Sequence, residues 1–287
     1  MATDRDAAYH DAARRMRDLV EPLAAAVYFA PEAQQRYEAL GLNYVEAYFG
    51  SRSACLGTVP WRVVSGVFAA FKPSVVERAM AGVHAKTDPQ ALLEARLAGA
   101  RDQIVRMAGA PTDDFLVAAD LLLEVTDGLD GSGRALYSAL AGLPVPGRDD
   151  PAGRLWRAAD LVREHRGDGH IAAWLPHFDS AEVTVLTEPW WGIEPGSYAW
   201  TRGWDADDIA SARARLVDRG LLDEEAGITE AGRALREQVE DTTDLAAREV
   251  IVRLGDRIGE LFTMLDPLSK AMLGQDGYPV RRSELFG

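Results

Sequence analysis

Helical punctuation constrains this chain more than any single motif does. Residues 6–29 run without glycine and Pro31 stops the pattern, Gly41 and Gly50 bracket the apolar segment LNYVEAYF, and Gly57 and Pro60 precede a run from Trp61 to Phe71. Asp88-Pro89 reads as an N-cap followed by a first-turn proline, opening a helix toward Met107. Thr112 opens DDFLVAADLLLEV, with acids at the positive end of the helix dipole and apolar residues behind them. The first half therefore predicts a helical bundle. Residues 128–150 are dense in Gly and Pro around one short helix, which places a boundary there: residues 1–145 form an N-terminal helical domain and 146–287 a second domain.

The second half has its own order of signals. A helix from about Arg154 to His165 is expected to close at Gly167, with Asp168 capping the next one and Asp179 or Ser180 starting a third. After the insertion PWWGIEPGSYAWTRGW, the helix DADDIASARARLVDRG leads through Leu221-Leu222 to the acidic stretch Asp223-Glu224-Glu225-Ala226-Gly227, and Thr229 caps a further helix. Helix, Arg-Gly-Leu-Leu, a two-strand wing and a capped helix is the order of a winged helix, similar to the MarR-type arrangement. The expected fold class is mainly α: an N-terminal helical bundle plus a C-terminal winged-helix domain, MarR-like, with a short β wing and one or two closing helices.

Composition narrows the function classes. A chain of 287 residues with 47% apolar content can bury a large core. Cys55 is the only cysteine, so neither an intramolecular disulfide nor a Cys-based zinc site is available, and a reducing cytoplasmic location is expected. The N-terminal stretch lacks the basic flank and apolar run of a signal peptide, and no stretch reaches bilayer-spanning length, so no membrane role is expected. The net charge of -14 repels phosphate backbones in general. The balance is worse locally, where a DNA reader would need bases: residues 204–232 hold eight acids against Arg213, Arg215 and Arg219, and the wing tip carries no base. DNA is therefore not the expected partner.

Five segments together resemble an actinobacterial helix-turn-helix family: Tyr28-Phe29-Ala30-Pro31-Glu32, Tyr48-Phe49-Gly50-Ser51-Arg52, Leu155-Trp156, the run Arg163-Glu164-His165-Arg166-Gly167-Asp168-Gly169-His170, and Thr229-Glu230-Ala231-Gly232. The resemblance covers nearly the whole chain. It implies a helix-turn-helix fold and, through that fold, a regulatory role. The family pattern carries histidine where this chain has Ala24 and Arg157, so any His-dependent metal or haem site of such a family would lose two ligands here.

The candidate site residues fall in three groups. Leu155, Ala158, Val162 and His165 share one helix face, so His165 points inward, either as a core histidine bonded to a carbonyl or as part of an acid-base cluster with Glu164 and His170 across the expected turn. Arg52, beside Tyr28, Tyr48 and Phe49, can hold a carboxylate or enolate in an apolar pocket or pair with a structural carboxylate. Trp190, Trp191 and Trp200 belong to an aromatic insertion that lines a pocket or plugs a core. The spacing His-x4-His across a glycine is not the i, i+4 zinc arrangement, and no phosphate-binding glycine loop is present, so neither metal nor other cofactor is expected. Two readings follow. One is a small-molecule biosynthetic enzyme performing cofactor-free acid-base chemistry such as dehydration, addition or cyclisation on a small organic substrate, with His165, His170, Arg52 and Glu164 as catalytic groups. The other is a MarR-like ligand-responsive regulator acting as a homodimer.

Overall fold

The computed structural model describes residues 4–274 and 276–278. Its helices in chain order are α1 (Asp4–Ala25), α2 (Pro31–Ala39), α3 (Tyr44–Ser53), α4 (Trp61–Val67), α5 (Pro73–Met80), α6 (Val83–Lys86), α7 (Pro89–Ala108) and α8 (Asp113–Thr126). They continue as α9 (Ala135–Ala141), α10 (Pro151–Trp174), α11 (Ser180–Trp191), α12 (Ser197–Thr201), α13 (Ala206–Asp218), α14 (Glu230–Ala246), α15 (Arg248–Leu254) and α16 (Ile258–Ala271). The starts follow local chemistry. Asn43 with Glu46, Asp179 with Glu182 and Asp205 with Asp208 form reciprocal capping boxes, while Asp88 and Thr229 cap α7 and α14 through single side-chain acceptors. The expected caps at Asp88, Asp179 and Thr229 are all in place.

Helix α10 departs from the expected break at Gly167. It runs unbroken through Gly167, Asp168 and Gly169 to Trp174. Glycine in a helix interior costs roughly 1 kcal/mol relative to alanine, a small sum against burial of this helix among α1, α7, α8, α9 and α14. Gly169 is a point of close approach: a Cβ there would lie 2.7 Å from Arg134 Nη1 and 3.3 Å from Ala246 Cβ. Arg134 donates to the carbonyls of His165 and Ala246, clasping α10 to the end of α14. Asp168 caps no helix of its own; its carboxylate accepts the Tyr137 backbone N–H at 3.0 Å, near the start of α9.

The apolar core forms two clusters. The larger takes residues from Met16 to Val162 and again from Val250 to Tyr278, so α15 and α16 return to pack with the first half of the chain. The smaller runs from Ala173 to Val239 and joins α11, α12, α13 and α14. Helix α10 contributes to both, its first half to the larger cluster and Ala173 and Trp174 to the smaller.

The fold is mainly α, and the expected β wing is not formed. Between α13 and α14 a single antiparallel bridge links Leu222 and Ile228, and no longer strand occurs among the described residues. The Asp223 carboxylate accepts the amides of Glu225 at 3.0 Å and Gly227 at 2.7 Å, curling the segment into a tight turn with Ala226 at φ 69°. Without a two-stranded wing, the MarR-like winged-helix assignment loses its structural basis. No described helix is long and apolar enough to cross a membrane.

Candidate functional site

Where the two clusters meet, α10 borders a cavity of about 280 Å³. Helix α1 supplies Ala13, Met16 and Val20, the α4–α5 connection supplies Phe68 and Phe71, and α11 supplies Val183, Thr184, Thr187 and Trp191. Ile171 and Trp174 on α10 complete an apolar and aromatic lining, with charged groups gathered on two sides. The size lies just below the range usual for small-molecule sites, roughly 300–1,000 Å³, and so suits a small ligand.

On one side stands Arg52, from the last turn of α3. Its Nη2 donates to Glu164 Oε1 at 3.0 Å and its Nη1 to the Tyr48 hydroxyl at 2.9 Å, while the guanidinium lies 4.4 Å from the Phe68 ring centroid. Arg163 binds the same carboxylate at 2.5 Å and reaches Glu21 at 2.9 Å. Burial pushes the Glu164 carboxyl up, but Arg52, Arg163 and Arg96 outweigh it and hold the group well below the usual carboxylate range. The Tyr48 phenol is also pushed up by burial, yet Arg52, Arg202 and Arg163 bring it below the usual tyrosine value. Tyr28 lies just behind, edge-on to Tyr48 with centroids 5.1 Å apart and bonded to Arg96 at 3.1 Å; burial takes its phenol up to about 12.

On the other side stands His170. Its Nδ1 lies 3.0 Å from Thr243 Oγ1, and that hydroxyl donates to the Val239 carbonyl at 2.7 Å. The hydroxyl proton being committed, Thr243 accepts from the ring, which places the His170 proton on Nδ1. Burial pulls the pKa of this ring down to about 3, against the pull of Glu240, so it is neutral at pH 7. Glu240 is itself held low, against burial, chiefly by Arg236, with Arg166 and Arg17 adding to it.

The structure brings Arg52, Glu164, Tyr48, His170 and Trp191 to the cavity wall. It leaves His165 elsewhere. A continuous helix turns by about 100° per residue, so positions five apart point about 140° from each other. His165 packs edge-on against Tyr137 with centroids 4.9 Å apart, its Nδ1 buried without a hydrogen-bond partner, and burial lowers its pKa to about 4. Phe49 is core, packed against Phe68 and Phe71. Trp190 bonds Glu237 at 2.9 Å beneath the Arg236 guanidinium, and Trp200 is 60% exposed on another face. Thr184, Thr187, Ile171, Trp174 and Arg202 line the cavity although the sequence reading did not select them. Arg202 closes the aromatic insertion already singled out, and that adjacency was the available signal.

One group has the donor types of a metal site: His10, Asp241 and Asp244 offer ligand atoms within 4.8 Å of one another. Arg14 binds Asp244 at 3.0 Å and Asp241 at 2.9 Å, and Arg166 binds Asp244 at 2.8 Å, so these carboxylates already serve an arginine network. Comparison with known proteins finds no match among curated proteins and none among solved structures. Residues 13–279 do match a described family, and on that match the chain belongs to the Helix-turn-helix family.

Proposed function

We propose that this protein binds a small organic molecule in the cavity between its two hydrophobic clusters, and that α11 and α12 serve as part of the wall of that site. The observation carrying this reading is the cavity itself, apolar and aromatic over most of its lining, with Arg52, Tyr48 and His170 converging on it. Side chains from α11 and α12 share the wall with those from α1, α3 and α10, so occupancy bears directly on how the two clusters sit together. That is the arrangement a ligand-responsive protein needs.

Binding is favoured over acid-base catalysis because the groups expected to move protons are committed. Glu164 is held ionised between two arginines, His170 is neutral and donates its Nδ1–H to the Thr243 hydroxyl oxygen, and His165 faces away from the cavity. The enzyme reading keeps one support, the Tyr48 hydroxyl, which sits in the wall with a depressed pKa. DNA recognition is disfavoured by the acidic surface around α13.

The test uses a neutral fluorescent probe, N-phenyl-1-naphthylamine, titrated into the purified protein. We expect one probe per chain, and Ile171→Trp, which fills the cavity, should weaken uptake at least tenfold, or about 1.4 kcal/mol. Its melting temperature should stay within a few degrees of wild type. No uptake, or equal uptake by the variant, would overturn the proposal.

A further inference from the structure

The charged part of the cavity wall is unevenly balanced. Six arginines and four carboxyl groups line it. Among the described residues, Arg17, Arg52, Arg163, Arg166 and Arg236 each pair with a carboxylate. Arg202 pairs with none. Its guanidinium lies over two rings, 4.8 Å from the Phe71 centroid and 4.3 Å from that of Tyr198. Its hydrogen bonds go to neutral hydroxyls, Nη1 to Thr201 at 3.0 Å and Nη2 to Tyr198 at 3.1 Å. An arginine offers five N–H donors in a planar fork, so most of its capacity is unspent. A guanidinium stacked on aromatic faces keeps its edge available for a planar anion.

Phe71 also packs against Tyr48, with centroids 5.5 Å apart, so Arg202 and Tyr48 flank the same ring on the same wall. Resting on the binding role of this cavity, we infer that its ligand is an organic carboxylate: the charged end pairs with Arg202 beside the Tyr48 hydroxyl, and an apolar body fills the space toward Ile171, Trp174 and Trp191. The depressed Tyr48 pKa agrees, since burial alone would raise it and the surrounding arginines make this corner favourable to negative charge. A carboxylate fits better than a phosphate. The wall shows one cation lacking an acidic partner, which matches a monoanion, and the rest of the lining is apolar.

The experiment compares 4-phenylbutyrate with its neutral isostere 4-phenylbutanamide at pH 7.5, each by calorimetry and by displacement of N-phenyl-1-naphthylamine. We expect the acid to bind at least tenfold more tightly than the amide. In Arg202→Gln that ratio should fall to about one, while Arg202→Lys, which keeps the charge but loses the fork, should retain part of it. Thermal melts of both variants verify that they are folded. If the neutral probe binds but wild type holds acid and amide equally, the carboxylate assignment fails and the cavity reading stands. Uptake of neither probe nor acid would overturn both. A full preference for the acid in Arg202→Gln would overturn the role of Arg202.

Discussion

His165 shows how one side chain can be placed correctly on a helix face and still serve a different purpose. Its inward orientation was legible from the apolar positions Leu155, Ala158 and Val162, all buried with it in the structure. Its partners were not, because Tyr137 and Arg134 reach it through tertiary packing. The same limit hid the central ion pair: Arg52 and Glu164 are each recognisable as candidate site residues, but 112 positions separate them and no local pattern joins them. The His165 ring has a consequence for stability. Its pKa falls from 6.5 toward about 4 on folding, through burial first and then Arg134. A depressed histidine binds its proton more readily in the unfolded chain, so its contribution is fully present above pH 6.5 and is lost as pH falls toward 4. His165→Phe keeps an aromatic ring against Tyr137 and removes the titration. Urea unfolding at pH 7.5 and pH 5 should show wild type losing about 1–2 kcal/mol more than the variant over that interval. An equal loss in both proteins would mean that the ring is solvated in solution.

At the scale of elements, caps were readable and the fate of helix-interior glycines was not. Asp88, Asp179 and Thr229 act on amides within three residues, so their effect is local and visible in sequence. A glycine can end a helix or admit a neighbour, and only the neighbour decides. Gly167 and Gly169, two positions apart on α10, separate these cases experimentally. A Cβ at Gly167 meets only Glu164 Oε2 at 3.6 Å, ordinary contact, so Gly167→Ala should gain helix propensity and stabilise by roughly 0.5–1 kcal/mol. A Cβ at Gly169 runs into Arg134 and Ala246, so Gly169→Ala should displace the Arg134 clasp and destabilise by roughly 1–3 kcal/mol despite the same propensity gain. Denaturant melts of the two variants side by side should move in opposite directions. Stabilisation by both would mean that α14 does not rest on α10 as closely as described. The missing wing has a comparable cause, since Asp223 draws the amides of Glu225 and Gly227 to its own carboxylate over a stretch too short to show strand alternation.

At the scale of the whole molecule, charge and family pull in different directions. Membership of the Helix-turn-helix family raises DNA binding, and the sequence pattern offered the segment around α13 for it. Yet the three arginines on and after α13 are engaged within the protein: Arg215 with Asp179 and Glu182, Arg219 with Glu182 and the His177 carbonyl, and Arg213 with the Glu224 carbonyl. Around them Asp207, Asp218, Asp223, Glu224 and Glu225 are exposed. Binding a phosphate backbone releases counterions in proportion to the cations presented, and here those cations would first have to leave their own partners. A chain of net charge -14 adds long-range repulsion, weakened but not removed at physiological salt, where the screening length is about 8 Å. The expected result of a mobility-shift assay against the gene's own upstream region, at about 150 mM salt, is no retained complex at micromolar protein. Nanomolar binding that weakens steeply with added salt would show that a cationic surface forms in solution, and would return DNA recognition to first place. The assay repeated with 4-phenylbutyrate present extends the same test to the ligand-bound form, in which a filled cavity could reset α11 against α13. A complex appearing only with the carboxylate would make the protein a ligand-gated DNA binder; none in either condition leaves α11 and α12 as walls of a binding site and nothing more.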